Sequence, residues 1–441
     1  MRCQKTSLLK FAVLGLFVAA IQIDRSSADC LIPYWQPLSP AQSPLGQRFY
    51  HQMASDSKRG KTVLFGGADK CYKVCQYPTD TNVYNDTWEF DGKTWTQQFP
   101  NTIPLRLLSA SMSYDPVRGV TIMFGGIAGL NGFPNSSILW EWDGNDWTEF
   151  DNTGPAARYG HKMVYDSVRH VHVMYGGFVY SRRPGDTRDM LYPVTETWEY
   201  AASGRIWTLR STNGPPARFD FNIAFDAARN RTVLFGGRLE TAPTLAQEYA
   251  NDTWVWDGGA GTWQQLNPAN KPSGRFGHSM AFDSTRSVVV LLGGQYVKQD
   301  YGTSIVPGLS SETWTWDGAN WSNQTLFFDF PSGVFDAPMV YESARQQLFM
   351  FADTGPTLND PMLNWVRATG NGRTVNFVDS NNRSGIEDGS GTNPFRTVRS
   401  AASCASGATT ISIRSGDYPE GALTLSKQVA VITTNGWAHI H

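Results

Sequence analysis

The 441 residues carry 37 Lys and Arg against 39 Asp and Glu, a net charge of −2 with a pI near 6.4. That balance gives no overall attraction to nucleic acid or to acidic membranes. With 13% aromatic and 17% charged residues the chain can bury a large core, and 42 Gly with 24 Pro suit many short strands and turns rather than disorder.

Residues 1–28 read as a signal peptide: Arg2, Lys5 and Lys10 precede the apolar run Phe11 to Ala20, and Ser26-Ser27-Ala28 offers small residues before a cut. Cleavage is expected after Ala28, with Ala20 as the alternative. The run is shorter than the roughly 20 residues a membrane span needs, so the cleaved chain is expected to be secreted or periplasmic with no span. Asp29 before Cys30 argues against a lipoprotein cut. In an oxidising compartment Cys30, Cys71, Cys75 and Cys404 are left after Cys3 departs, and four cysteines allow three pairings. A local Cys71–Cys75 disulfide is favoured over a metal site, which would lack nearby histidines, and Cys30 with Cys404 is the remaining pair.

From residue 29 to about 370 one phrase recurs. A glycine pair ends a short apolar run at Phe65-Gly66-Gly67, Phe124-Gly125-Gly126, Tyr175-Gly176-Gly177, Phe235-Gly236-Gly237 and Leu292-Gly293-Gly294, so successive first glycines lie 59, 51, 60 and 57 residues apart. Such a period marks stacked supersecondary units. Each unit predicts four strands. The first ends at a turn Asp (Asp56, Asp115, Asp166, Asp226, Asp283) with an Arg three residues on, the second ends at the glycine pair, and the third reads Thr87-Trp88-Glu89-Phe90 or its equivalent. A tight turn such as Asp91-Gly92, Asp143-Gly144 or Asp317-Gly318 then leads into a fourth strand headed by Trp.

The glycine pairs and the Trp pairs (Trp88 and Trp95, Trp140 and Trp147, Trp198 and Trp207, Trp254 and Trp263, Trp314 and Trp321) resemble the kelch-repeat β-propeller family over roughly residues 33 to 370. The resemblance implies an all-β ring of four-stranded blades. A sixth unit follows in Met339-Val340-Tyr341-Glu342, Arg345 and Leu348-Phe349-Met350-Phe351, with Ala352-Asp353 in place of the glycines and Trp365 in its third strand. Trp35-Gln36-Pro37-Leu38 matches the fourth strand Trp263-Gln264-Gln265-Leu266, so the chain start is expected to close a six-bladed ring, seven blades being the alternative. Residues 371–441 lose the phrase. Their Ile411-Ser412-Ile413, Gly416-Asp417-Tyr418 and Lys427 to Val431 resemble the opening of a right-handed parallel β-helix of the pectin-lyase type, as a cap or an incomplete solenoid.

Arg48, Arg158, Arg218 and Arg275 each stand eight residues before a turn Asp, with His51, His161 and His278 three residues after three of them; blade two has Leu107 there, with Arg106 one step off. Since the first strand of a kelch blade lines the channel, the resemblance gathers these side chains at one mouth. Arginine forks and imidazoles suit a carboxylate or sulfate ligand, and the structural alternative is that each Arg binds carbonyls or acids of the scaffold. The loops after the glycine pairs differ in every unit, and Tyr72, Arg182, Arg183, Tyr296 and Tyr301 are their contact candidates. No cofactor, metal or catalytic set is assigned. A kelch-like copper oxidase needs a cross-linked Cys and Tyr with two His, and the Asp-Gly-x-x-Trp turns only faintly echo the sialidase motif. The reading is therefore an exported, monomeric binding scaffold for a protein or glycan ligand. The alternative is an extracellular carbohydrate-active enzyme, similar to a sialic acid mutarotase or associated with a lyase or hydrolase.

Overall fold

A computed structural model describes residues 34–37, 48–69, 82–128, 136–150, 153–181, 190–239, 248–301, 304–325, 333–353, 362–368, 375–378, 410–418 and 430–440. The signal segment, all five cysteines, and Tyr72, Arg182 and Arg183 lie outside these residues. The chain divides into two compact units, one of residues 37–325 and 332–366, the other of residues 1–36, 326–331 and 367–441.

In the first unit the repeated phrase becomes a repeated sheet. Gln52–Asp56, Lys61–Phe65, Thr87–Phe90 and Trp95–Gln98 form an antiparallel sheet in chain order. The same order recurs in four further sheets, whose first strands are Ser111–Asp115, Lys162–Asp166, Asn222–Asp226 and Ser279–Asp283. A further sheet contains Met339–Glu342, Gln347–Asp353 and Met362–Ala368. Each first turn is organised by its aspartate: Asp56 Oδ1 accepts from the Lys58 and Arg59 amides at 3.0 and 2.9 Å, while Oδ2 takes the Arg59 guanidinium. Arg59 also reaches Glu89 of the third strand, which ties hairpin to hairpin, and Arg118 to Glu141 and Arg169 to Glu199 repeat the link. The second turn is organised likewise, with Asp91 Oδ1 accepting from the Lys93 and Thr94 amides and Gly92 at φ +92°. Asp143 and Asp317 cap the equivalent turns.

Because strand side chains alternate faces, each sheet buries one face on its predecessor and one on its successor. Met53, Leu64, Phe90 and Trp95 pack with Val340, Phe349 and Phe351 of the sixth sheet, while Ala54, Val63 and Phe65 pack with Met112, Met123, Trp142 and Trp147 of the second. Large meets small at these interfaces: Ala224 faces the sheet bearing Met280 as Ala54 faces that bearing Met112. First and sixth sheets are also joined by Thr62 Oγ1 donating to Glu342 Oε1 at 2.8 Å and by Phe90 stacked on Phe349 with centroids 4.7 Å apart. The first strands of all six sheets line one cavity of about 310 Å3.

In the second unit, Val375–Val378, Thr410–Tyr418 and Ala430–Ile440 pair in parallel.

The Thr that opens the third strand has a reason specific to the ring. Thr87, Thr197 and Thr253 accept the indole N–H of the next sheet's Trp147, Trp263 and Trp321 at 2.8–2.9 Å. The second sheet has Leu139 there, and the Trp207 indole that faces it is buried without a partner. Thr253→Val is therefore expected to strand a buried donor and lower stability by about 1–3 kcal/mol. Thr232→Val, at a buried hydroxyl that has no partner, is expected to be neutral or stabilising; denaturant midpoints of the two variants provide the check.

Candidate binding site at the channel mouth

The four repeat arginines are buried, and apart from Arg48 Nε, which has no partner, their nitrogens are engaged inside their own blades. Arg218 donates to the Pro216 carbonyl, to the Gly236 carbonyl at 2.9 Å, and to both Asp252 oxygens at 2.6 and 2.7 Å. Arg48 makes the same pattern with Gly66 and Asp86, Arg158 with Gly176 and Glu196, and Arg275 with Gly293, Ser310 and Glu312. The acid accepts in addition from the indole two residues on, as Trp254 does to Asp252 and Trp198 to Glu196. None of these arginines lines the channel. The glycine pair allows the close approach: Gly236 and Gly237 have φ of +64° and +97°, and a Cβ at Gly237 would sit 2.7 Å from the Phe221 Cβ. Where blade two carries Leu107 in place of Arg, it carries Ile138 in place of the acid, so the two members change together.

The histidines are buried too, each edge-on to the aromatic of the preceding blade: His51 on Phe351, His161 on Phe124 and His278 on Phe235. Burial and the nearby guanidinium hold His51 down to about 3, and His161 and His278 well below the imidazole range. They are neutral packing groups, and Phe221 takes the same place in blade four against Tyr175. Arg and His therefore fix blade to glycine pair and blade to blade.

The mouth itself is built from the residue two places after the repeat Arg position. Tyr50, Ser109, Gly160, Asp220, Gly277 and Asp336 all have positive φ, between +52° and +67°. The Ser109 amide donates to Tyr50 and Gly160 to Ser109, and Gly277 donates to Asp220 and Asp336 to Gly277, so these hoop positions are joined by backbone bonds in two runs, Tyr50 to Gly160 and Asp220 to Asp336. Four residues after the Arg position, Lys162 borders the cavity beside Gln52, Ser111 and Asn222. Burial raises the Asp220 carboxyl, and pushes Asp336 up to about 7 with Asp220 adding to the shift, while Lys162 opposes it on both. These charged residues were missed in the sequence, though the repeat register could have found them by comparing positions that differ between blades.

The loops above the mouth carry the other candidates. Phe178–Ser181 with Met190–Pro193, and Gln295–Asp300 with Ile305–Leu309, are hairpins standing beyond their sheets. Tyr296 is half-buried in the latter; Tyr301 is 60% exposed, and Tyr180, Met190 and Leu309 are also exposed.

Two outcomes follow from these groups. Arg218→Leu should leave Asp252 buried without its counter-charge and cost about 3–5 kcal/mol, and the double variant Arg218→Leu/Asp252→Ile, which copies blade two, should recover most of it in a double-mutant cycle of denaturation midpoints. Because the histidines are held neutral, the native state binds fewer protons than the unfolded chain; the contribution of His51 is whole above 6.5 and is lost as pH falls towards about 3, and His161 and His278 act in the same direction. His161→Phe is expected to flatten that acid limb in melting temperatures taken across the same range.

The chain is similar to known proteins. The solved structure of YjhT superposes with a TM-score of 0.53 over 74% of this chain and 95% of that one, at 13% identity, a likeness of fold alone. Mei4-dependent protein 6 of Schizosaccharomyces pombe is 25% identical over 277 residues, 56% of this chain, and the chain spans only 38% of that protein's length. A model of the Attractin/LZTR1 β-propeller family matches residues 28–294, well over half of the sequence. The chain, with its glycine pairs, Trp-headed strands and antiparallel blades, belongs to the Attractin/LZTR1 β-propeller family.

Proposed function

We propose that this protein is an exported, non-catalytic β-propeller scaffold that binds a protein or carbohydrate ligand on the face bearing the glycine-pair loops. The observation that carries the reading is the division of labour within each blade. The Arg, acid, Trp and Thr positions repeat and are consumed by internal bonds, while the loops between second and third strands share no pattern and expose Tyr180, Met190, Tyr301 and Leu309. Aromatic and Met side chains held on rigid hairpins suit a binding face. The ring is read as six blades with Tyr34–Pro37 completing the last. This is supported by six first strands around one cavity and by the match of Trp35-Gln36-Pro37-Leu38 to a fourth strand. The parallel strands after residue 371 support a β-helix-like cap. Export rests on the basic and apolar pattern of residues 1–28, and the mature N-terminus is expected at Asp29.

The test is a glycan array and a partner screen with the purified mature chain, alongside assays on sialylated and pectic substrates. Binding without turnover is the expected result. Turnover of either substrate class would overturn the non-catalytic reading. The triple variant Tyr180→Ser/Met190→Ser/Tyr301→Ser is expected to keep the wild-type melting temperature, since all three side chains are exposed. It is expected to lose binding about tenfold or more, as loss of aromatic contacts from an interface does.

A further inference from the structure

Around the mouth stand three charged side chains, Lys162, Asp220 and Asp336, with no side-chain hydrogen bond or ion pair among the described residues. Asp220 and Asp336 occupy the hoop on either side of Gly277, through the links from Gly277 N–H to Asp220 and from Asp336 N–H to Gly277, at 2.8 and 2.7 Å. Gly277 carries no side chain, and the Phe335 ring packs over it. Lys162 rises from the adjoining first strand and acts on both carboxyls. Asp336 is half-buried, and its Oδ2 is buried with no donor. A buried carboxylate oxygen without a donor is costly and rare in a native structure. Lys162, which lines the 310 Å3 cavity, is one ammonium against two carboxyls, and Arg238, whose field also reaches Asp220, is paired with Glu248, so one negative charge is left over when both carboxyls are ionised.

We propose that the mouth is a receptor for one cationic group, the ammonium or guanidinium of a lysine or arginine side chain on a partner peptide, seated between Asp220 and Asp336 over Phe335. The proposal rests on the loop-face reading above and names its ligand chemistry. A single added cation offsets the carboxyls, donates to the open side of the Asp336 carboxyl, and lies where the face of an aromatic ring favours positive charge. Sugar hydroxyls would supply a donor but leave the charge unbalanced. The groups around Asp336 are Lys162, Asp220 and the cation itself. Arg238 adds its field at Asp220, and His161 and His278, which Lys162 helps to hold neutral, contribute no charge. With Asp336 protonated below about 7, the cation is expected to bind above that value and be released below it.

The experiment titrates the full mature chain with N-acetyl-lysinamide, N-acetyl-argininamide and the neutral isostere N-acetyl-norleucinamide, read by the Asp220 and Gly277 amide shifts. Saturable binding of a cationic probe but not the neutral one, weakening as pH is lowered through about 7, is expected. Asp336→Asn should weaken it about tenfold or more and abolish the pH dependence. Lys162→Met, measured well above that pH so that Asp336 is ionised, should strengthen binding, a gain that no misfolded variant can give. Equal binding of all three probes, no binding of either cation, or cation binding indifferent to Asp336→Asn and Lys162→Met would overturn the proposal. In any of those cases loop-face binding would still stand if the Tyr180, Met190 and Tyr301 variant loses its ligand.

Discussion

A guanidinium with no solvent exposure, such as that of Arg218, is tolerable only with its charge neutralised and its donors satisfied. Nearly everything regular in this chain follows from that. The fork needs a carboxylate, which fixes an acid just ahead of the third strand. It needs carbonyls, which brings the first glycine of the pair against it and demands a backbone at positive φ. The acid has an oxygen to share, which places an indole two residues on. The Thr between acid and indole then serves the next blade's fourth strand. One buried charge thus dictates a phrase running from the start of the blade to its third strand. When blade two drops the charge it also drops the acid and the threonine, as Leu107, Ile138 and Leu139.

Cohesion between blades rests on different physics. Met112 and Met280 fill the room left by small residues such as Ala54 and Ala224 on the preceding blade, as close packing requires. Near the mouth, His51, His161 and His278 or Phe221 set a ring against the preceding aromatic. Imidazole and phenyl serve alike there, because the site asks for a flat neutral ring. Ionic order within blades, with apolar packing and Thr–indole bonds between them, places the repeated locks on the strands and turns, and loops that do not repeat can diverge.

Strands, turns and glycine pairs were legible because each is a local pattern. The turn Asp, its Arg and the Asp-Gly hairpins stand in the structure as their spacing predicts. The partners of Arg48, Arg158, Arg218 and Arg275 were not legible. Each acid lies 34 to 38 residues downstream across a loop of variable length, so no fixed spacing announces the pair. Repetition alone could not separate a ligand-binding ring of arginines from a structural one. The paired change at Leu107 and Ile138 does so, and it becomes visible only when the blades are aligned on their folded strands. Lys162, Asp220 and Asp336 went unseen for the opposite reason: Lys occurs once at its position and Asp twice at the other, where the remaining blades carry Tyr, Ser or Gly.

That departure bears on function. At the hoop position the backbone is left-handed in every blade, a conformation glycine adopts freely and other residues adopt at a cost of order 1 kcal/mol or more. Gly160 and Gly277 fit it without strain, so glycine is available to this fold at that place. Asp220 and Asp336 accept the strain, add half-buried carboxyls with no hydrogen bond or ion pair among the described residues, and contribute nothing to the arginine lock. Tyr50 and Ser109 take the same backbone, so what sets Asp220 and Asp336 apart is the carboxyl rather than the strain. Two acids held against both backbone preference and desolvation, on one side of a single opening, are what a site for an external cation requires of the ring that carries it.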